Sequence, residues 1–298
     1  MDGRRIGLLG FGEVGQILAQ DLTAQSLCTY DIKFEEHDSR LRKTASQFSK
    51  LNVCDTYESL CEQSDVIFSA VTAEQTAHAA KAIASTIREK TWYVDLNSAA
   101  PATKTDAAGV INAAGARYVE AAVMSPVPPK RLASPVLLGG PYAAPFDKIG
   151  EDCGMSALGI YSATYGKASA AKMCRSILIK GMEALLTEAL VTAKQHDVEE
   201  TVLRSLDDLF PGPIWPELSH YMISRTLEHG ERRAEEMREV AKMVAATGLE
   251  PCMSLATAQR QDWAKNELEL SQIPTLPAML EALAEKAELE NKEKTNEH

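Results

Sequence analysis

Apolar and polar positions in the first half of the chain form two alternating kinds of segment. Short, mainly apolar runs fall at residues 6–9, 66–71, 92–96 and 118–123. Runs of this length are typical of strands that are buried on both faces of a parallel sheet. The segments between them, such as residues 74–87, carry apolar residues at helical spacing. This alternation predicts an α/β domain with a doubly wound sheet.

The second half of the chain has a different pattern. Residues 170–194 carry one wide apolar stripe at helical spacing, which predicts a single long helix. Further helices are predicted at residues 200–210, 217–228, 232–246, 253–266 and 277–288. Because no convincing strand follows Ser169, we expect an all-α C-terminal domain. The boundary is placed near Gly166, so residues 1–165 and 166–298 form the two predicted domains.

A glycine motif lies between the first predicted strand and the helix that follows it. Gly10-Phe11-Gly12-Glu13-Val14-Gly15 has the form G-x-G-x-x-G. In this context the first glycine allows a tight turn, the second lets the backbone approach a pyrophosphate, and the third lets the helix pack closely. The phosphates would lie at the positive end of the helix dipole. The motif therefore predicts a dinucleotide site, and the alternative is a purely structural turn.

An acidic residue follows this motif at a suitable distance. Asp31 ends a second predicted strand, 21 residues after Gly10, where a carboxylate can accept hydrogen bonds from the ribose hydroxyls of an adenine dinucleotide. Since a carboxylate repels a 2′-phosphate, Asp31 favours NAD over NADP. Arg40, Arg42 and Lys43 come shortly afterwards and would reverse this preference if one of them bound a 2′-phosphate.

The loops after two later strands belong to the same predicted edge of the sheet. Val71 and Thr72 follow the run at residues 66–71, and Asn97 and Ser98 follow the run at residues 92–96. In a doubly wound sheet the ligand crevice lies beyond the carboxyl ends of the strands. We therefore expect these loops to line the crevice, with Val71, Thr72 and Asn97 contacting the cofactor.

Composition and charge narrow the class of partner. The net charge of −11 over 298 residues disfavours nucleic acid and anionic membrane surfaces, since both attract a basic face. No apolar run is long enough to span a membrane, and the first strand begins so early that we expect no signal peptide and a cytoplasmic protein. The six cysteines form no C-x-x-C pair, so we expect neither a metal site nor a disulfide framework.

A lysine at the start of the long helix is the candidate acid–base group. With Ser169 as N-cap, Lys172 falls in the first helical turn, where the helix dipole disfavours a cation and lowers its pKa. Near a dinucleotide cleft, such a lysine can protonate or polarise the oxygen of a carbonyl that receives hydride. The alternative is an ordinary surface lysine.

The order of these features resembles the β-hydroxyacid dehydrogenases, the superfamily of 3-hydroxyisobutyrate, tartronate semialdehyde and 6-phosphogluconate enzymes. The similarity covers nearly the whole chain, and the second half resembles a poorly characterised branch with its own helical domain. Members carry a glycine-rich turn like that of residues 10–15 in a Rossmann-like domain and a segment like residues 95–98 beside the nicotinamide. The resemblance implies substrate contacts at Asn97 and Ser98, and a catalytic role for Lys172.

Two departures from the family pattern concern the substrate. Where the family commonly has D-A-P-V-S-G-G, this chain has E-A-A-V-M-S-P, so Met124 and Ser125 stand at the family's serine and glycine. The family's K-x-x-N is K-M-C-R here, which places Arg175 where an asparagine supports the substrate. Arg175 is a candidate to clamp a carboxylate. The alternative is an interhelical ion pair.

The resemblance also bears on the later helices, which in the family close over the active site and pack against a second subunit. It implies a homodimer through the helical domain and makes His229 and Arg233 candidates for substrate contact. The alternative for this charged run is a solvated helix face.

Together these features predict an NAD(P)-dependent oxidoreductase that acts on a small polar, hydroxyacid-like molecule, with Lys172 as general acid and base. One alternative is an imine reductase. The resembling imine reductases lack this lysine, so its presence favours oxygen chemistry. The other alternative is a dinucleotide-binding regulatory protein without turnover, which the changes at Met124 and Arg175 support.

Overall fold

The computed structural model describes residues 4–36, 39–265 and 267–296, and it describes their side chains except at 208, 209, 291 and 293–296. Its contacts divide the chain into two compact units, Met1–Met173 and Cys174–His298. The division lies inside a long helix. This helix begins at Lys167, one residue after Gly166, where the sequence places the boundary.

The first unit is built on one eight-stranded sheet. Its strands are β1 (Arg5–Leu9), β2 (Ser26–Tyr30), β3 (Leu51–Val53), β4 (Val66–Ser69), β5 (Trp92–Asp95), β6 (Arg117–Val123), β7 (Val136–Gly139) and β8 (Leu158–Ser162). The order across the sheet is β3-β2-β1-β4-β5-β6-β7-β8, so the strand order reverses between β1 and β4. In an open α/β sheet, the crevice beyond the carboxyl ends at such a reversal is where ligands bind.

The sheet is parallel from β3 to β6, and β7 runs antiparallel to β6. The sequence pattern predicts a parallel sheet and does not predict this reversal. The connection from β6 to β7 holds four prolines and has no helix long enough for a crossover, which parallel pairing requires. The backbone N–H of Met124 donates to the carbonyl of Pro135 and extends the antiparallel pair beyond β6.

Both faces of the sheet are covered by helices. These are α1 (Glu13–Asp21), α2 (Arg40–Ala45), α3 (Tyr57–Glu62), α4 (Thr76–Ala84), α5 (Pro101–Ala113), α6 (Val127–Lys130) and α7 (Ala143–Asp152). Successive residues of a strand point to opposite faces, and on β4 Val66 and Phe68 belong to one buried cluster while Ile67 belongs to the other. An apolar run such as that of β4 therefore contributes side chains to two cores, one on each face of the sheet.

The rest of the described chain is helical, as the sequence predicts. Its helices are α8 (Lys167–Gln195), α9 (Glu199–Leu209), α10 (Trp215–Ala245), α11 (Cys252–Trp263), α12 (Leu268–Ser271) and α13 (Leu276–Asn296). Inside the second unit, Leu190, Ile223, Leu227, Met279 and Leu283 form one buried core. The fold is therefore a Rossmann-like sheet domain followed by an all-α region, which confirms the predicted fold class.

Two predicted helices in this region are one interrupted helix in the structure. Residues 217–228 and 232–246 both lie in α10, whose backbone leaves helical geometry at His229, with φ −127° and ψ 16°. A side chain at the next residue, Gly230, would place Cβ 2.5 Å from the carbonyl oxygen of Gln261. Gly230 therefore permits close contact between the interrupted helix and α11. Within the described residues, none of the helices has both the length and the apolar character needed to cross a bilayer.

Candidate active site

Three glycines shape the turn between β1 and α1, each in different surroundings. Gly10 has φ +96°, and a Cβ there would lie 2.5 Å from the carbonyl oxygen of Ala70. A Cβ on Gly15 would lie 2.3 Å from the carbonyl oxygen of Gly10, so the start of α1 packs directly on the turn. Gly12 is exposed, and no other atom lies within 4 Å of the position of its Cβ. The turn therefore presents open backbone at Gly12, beside the start of a helix.

The residues between these glycines differ in what they can offer a ligand. The Phe11 side chain is fully buried and packs against Phe34 and Phe48. Val14 packs against the buried cluster on one face of the sheet, whereas Glu13 is exposed in the first turn of α1. Among the predicted cofactor contacts, Phe11 and Val14 thus hold the turn in place through their side chains, while Gly12 and Glu13 face outward.

Asp31 links this turn to the end of β2. One carboxylate oxygen accepts a hydrogen bond from the backbone N–H of Phe11 at 2.8 Å, and the other accepts from the N–H of Lys33 at 2.9 Å. Each carboxylate oxygen has two lone pairs, so both oxygens keep the capacity to accept a further hydrogen bond. The partly exposed Asp31 therefore suits a ribose diol beside a pyrophosphate at Gly12.

The loops after β4 and β5 are joined by one buried amide. The Asn97 side-chain oxygen accepts from the backbone N–H of Val71 at 2.7 Å, and its nitrogen donates to the hydroxyl of Ser69 at 3.0 Å. Thr72, next to Val71, is exposed. Asn97 was predicted to contact both cofactor and substrate. In this structure its amide holds the two loops together.

Lys172 is joined to the same edge of the sheet. Its Nζ donates a hydrogen bond to the Ser98 hydroxyl at 2.6 Å, and both side chains are partly buried. The helix that carries it, α8, begins at Lys167, so the prediction that Ser169 is the N-cap is wrong. Lys172 lies in the second turn, where the dipole penalty on a cation is smaller than in the first.

Other predicted substrate residues have more local contacts. Met124 uses its backbone N–H to pair with Pro135, and the Ser125 hydroxyl donates to the carbonyl of Pro126 at 3.2 Å. Arg175 is exposed on α8. The roles of these three residues stay predictions.

Arg233 and His229 lie on α10 in the second unit. Arg233 is buried and ion-paired with Glu183, whose carboxylate also accepts from the side-chain amide of Gln261 at 3.3 Å. Burial lowers the pKa of Arg233 and raises that of Glu183. The guanidinium is therefore occupied by a structural ion pair instead of facing solvent.

His229 lies at the break of α10. Burial, followed by the positive charges of Arg225 and Arg232, lowers the pKa of His229 to about 4. Its Nε2 lies 3.4 Å from a carboxylate oxygen of Glu228. The imidazole is therefore uncharged at pH 7, so its contact with the Glu228 carboxylate is not an ion pair.

Three buried polar residues next to the loop at Asn97 and Ser98 are not among the candidate residues that the sequence predicts. Asp95 at the end of β5 lies 2.7 Å from Lys104 Nζ and accepts from the Tyr118 hydroxyl at 2.6 Å, and all three side chains are buried. Burial and Asp95 raise the pKa of Tyr118, so this hydroxyl stays protonated. Asp95 also accepts from the backbone N–H of Asn97 at 2.9 Å, which positions the loop that carries Ser98.

A signal in the sequence could have found them. Asp95 and Glu120 each stand in an apolar run of strand length, where a charge must be paired or hydrogen-bonded. Lys104 shares the apolar face of its helix with Ala107, Ala108 and Ile111. Among the described residues, no group of three or more potential ligand side chains is arranged to hold a metal ion.

Family models match two separate parts of the chain. Residues 5–98 match a model described as NADP oxidoreductase, coenzyme F420-dependent, and residues 193–264 match a domain of unknown function, DUF1932. The first range holds β1 to β5 with the glycine turn, Asp31 and Asn97.

Solved structures match nearly the whole chain. A conserved hypothetical protein from Sinorhizobium meliloti 1021 is 33% identical, with a TM-score of 0.72, over 94% of this chain and 95% of that one. A conserved protein of unknown function, described as structurally similar to 3-hydroxyacid dehydrogenases, is 28% identical, with a TM-score of 0.67, over 90% of this chain and 98% of that one. This chain belongs to the β-hydroxyacid dehydrogenase superfamily.

A solved 3-hydroxyisobutyrate dehydrogenase has a similar fold. Mycobacterium tuberculosis 3-hydroxyisobutyrate dehydrogenase, solved with L-serine, matches with a TM-score of 0.70 and 15% identity over 94% of this chain and 99% of that one. At this identity the likeness concerns the fold. The membership predicted from the glycine turn and Lys172 is confirmed, and the β-hydroxyacid dehydrogenase fold places the glycine turn, Asp31 and the loops at Val71 and Asn97 along one edge of the sheet.

Proposed function

We propose that this protein is an NAD(P)-dependent oxidoreductase that transfers hydride between the nicotinamide and a carbonyl or hydroxyl carbon of a small polar, hydroxyacid-like substrate. Membership of the β-hydroxyacid dehydrogenase superfamily supports a dinucleotide-binding oxidoreductase. The single observation that carries the chemistry is the hydrogen bond from Lys172 to Ser98 at the loop after β5.

The cofactor would be held by the backbone and by Asp31. The open backbone at Gly12 and the start of α1 suit the pyrophosphate, and Asp31 suits the adenosine ribose. Val71 and Thr72 would complete the cofactor side of the crevice. A bound nicotinamide supplies or accepts the hydride, and the protein contributes orientation and charge.

NAD is the preferred cofactor in this proposal. The negative charge of Asp31 opposes a 2′-phosphate, and Arg42 is already ion-paired with Asp55. Arg40 and Lys43 are exposed and are the candidates that would favour NADP if one of them bound a phosphate.

Lys172 would act as general acid during reduction and assist deprotonation during oxidation. Its ammonium group is oriented by Ser98, whose own loop is held by Asn97 and Asp95. A positioned acid stabilises the oxyanion that develops as a carbonyl is reduced. The resembling imine reductases lack this lysine, so its presence favours reduction of a carbonyl over reduction of an imine.

The residues at the substrate end differ from the family pattern, so a hydroxyacid-like substrate would be bound differently from the family's short hydroxyacids. Met124 and Ser125 would contact the substrate on one side. Arg175 would bind its carboxylate, and His229 would contribute a neutral imidazole. Arg233 stays a weaker candidate because its guanidinium is paired with Glu183.

We also propose a homodimer formed through the helical region. Leu178 and Leu185 on α8 are 69% and 58% exposed although both are large and apolar. Their seven-residue spacing places them on one face of the helix, where a second copy would cover them.

One experiment tests the proposal as a whole. The purified protein is titrated with NADH and NADPH by fluorescence, and then incubated with a panel of β-ketoacids and semialdehydes while nicotinamide absorbance is followed. Binding of NADH with turnover of one panel member supports the proposal. Binding without turnover on any carbonyl would favour the regulatory alternative, and binding of neither cofactor would contradict the dinucleotide site.

A further inference from the structure

A second buried carboxylate lies beside Asp95 in the sheet. Glu120 on β6 is the register partner of Asp95 on β5, and both side chains are fully buried. Asp95 is neutralised by the ammonium of Lys104. Glu120 has a different kind of partner, because both of its oxygens accept from backbone N–H groups.

These N–H groups lie at the start of the helix that carries Lys172. One oxygen of Glu120 accepts from the N–H of Gly166 at 2.7 Å, and the other accepts from the N–H of Ser169 at 2.7 Å. The first N–H groups of a helix have no partner within the helix and carry its positive dipole end. The carboxylate of Glu120 therefore caps α8 from a neighbouring strand.

The surrounding backbone leaves room for this carboxylate. Gly139 on β7 is opposite Glu120, and a Cβ there would lie 2.5 Å from a Glu120 oxygen. Gly166 has φ +86°, which allows the tight turn that aims its N–H at Glu120. The Ser169 hydroxyl donates to the carbonyl of Gly166 at 3.1 Å and closes the same turn. The start of α8 is thus held at one place relative to the sheet.

One helical turn beyond Ser169 is Lys172, whose Nζ reaches Ser98. We propose that Glu120 is a positioning residue for the reaction: it fixes the start of α8 so that Lys172 meets Ser98, and its negative charge favours the protonated form of that lysine. This inference rests on the proposed function of Lys172. It adds a residue that contacts neither cofactor nor substrate.

Glu120→Gln separates charge from shape. The variant keeps the side-chain length but replaces one acceptor with an NH2 group that faces a backbone N–H. Loss of the carboxylate should lower the pKa of Lys172, because a nearby negative charge favours the protonated form of the lysine. We expect kcat for carbonyl reduction to fall about tenfold or more, with the affinity for NADH unchanged. The alkaline limb of the pH profile should move to lower pH.

Glu120→Asp is the conservative variant, because it retains the charge one methylene shorter. Its kcat should decline at the same alkaline pH as in the wild type, even if the maximum value of kcat is lower. Glu151→Gln, which removes an exposed carboxylate on α7, is the control and should change neither quantity. A Glu120→Gln variant that loses activity without moving the pH limb would reduce Glu120 to a purely structural cap and overturn the proposal.

A second measurement does not depend on turnover. The lysines are reductively methylated with 13C-formaldehyde, the Lys172 signal is assigned by its absence from Lys172→Arg, and its pKa is measured by NMR in both Glu120 variants. A lower pKa in Glu120→Gln but not in Glu120→Asp supports the proposal even if no substrate is found. An unchanged pKa in a folded Glu120→Gln protein contradicts it whether or not the protein proves to be a dehydrogenase.

Discussion

The ammonium nitrogen of Lys172 lies 2.6 Å from the hydroxyl oxygen of Ser98, which links the long helix to the loop after β5. Each partner is held by a buried carboxylate of the sheet: Asp95 accepts from the N–H of Asn97, next to Ser98, and Glu120 accepts from the N–H of Ser169, near Lys172. Both ends of this hydrogen bond are therefore anchored to the sheet.

Replacing this lysine should remove chemistry and leave cofactor binding. We expect Lys172→Ala to lower kcat by about 100-fold or more, because a positioned general acid contributes at least that much. The affinity for NADH, measured by fluorescence titration, should change little. Lys167→Ala, which removes an exposed lysine at the first residue of the same helix, is the control. Equal turnover in both variants would remove Lys172 from the mechanism.

The preference for NADH should depend on Asp31. Asp31→Asn keeps one oxygen to accept the N–H of Phe11 but loses the charge and one acceptor for the ribose. We expect NADH binding to weaken about tenfold, or about 1.4 kcal/mol, and NADPH binding to weaken less. Glu36→Gln removes the same charge from an exposed neighbouring position. A similar loss in that control would point to general electrostatics instead of ribose recognition.

The buried pair of Lys104 and Asp95 should matter strongly for stability. Lys104→Met leaves the Asp95 carboxylate buried and uncompensated, which typically costs about 3–5 kcal/mol of unfolding free energy. Urea denaturation measures this change, with Lys81→Met on the exposed face of α4 as control. Adding Asp95→Asn to Lys104→Met removes the stranded charge and should restore part of the loss. If the double variant is as unstable as the single one, the charge is not the cause.

Stability should fall in acid partly because of His229. Its pKa of about 4 is below the ordinary value, so between pH 6.5 and 4 the unfolded chain takes up a proton that the folded chain does not. The stabilisation by the neutral imidazole is therefore present above pH 6.5 and is lost as pH falls toward 4.

Between pH 7 and pH 4, the His229→Gln variant should lose less unfolding free energy than the wild type, by about 1–3 kcal/mol. The charges that face the imidazole, Arg225, Arg232, Arg233 and Glu228, stay in place in the variant. His196→Gln, at an exposed position, should leave the profile as in the wild type. A proton NMR titration with His229 near its ordinary pKa would contradict the prediction.

The proposed dimer should depend on the exposed face of α8. We expect Leu178→Glu combined with Leu185→Glu to convert a dimer to a monomer in sedimentation experiments, since two charges in an apolar interface are not compensated. Leu289→Glu, at a similarly exposed leucine of α13, should leave the assembly unchanged. A wild-type monomer at all concentrations, or a double variant that still dimerises, would contradict an interface at this face.

Several features were determined by the sequence because they depend on local chain geometry. The apolar runs predict strands buried on both faces, and Val66, Ile67 and Phe68 do divide between two cores. The glycine turn follows the same logic, since φ +96° at Gly10 and the close approach at Gly15 both require the absence of Cβ. The helical spacing in the second half likewise predicts helices there, although the two predicted at residues 217–228 and 232–246 form one helix that is interrupted at His229.

Only the tertiary structure decided how distant polar groups pair. Asp95 with Lys104, Glu120 with the start of α8, and Arg233 with Glu183 are contacts between elements, and spacing along the chain does not encode them. The antiparallel β7 and the bridge from Asn97 to Val71 depend likewise on which strands become neighbours. Burial requires that such groups be satisfied, but the partner is chosen only when folding brings the elements together.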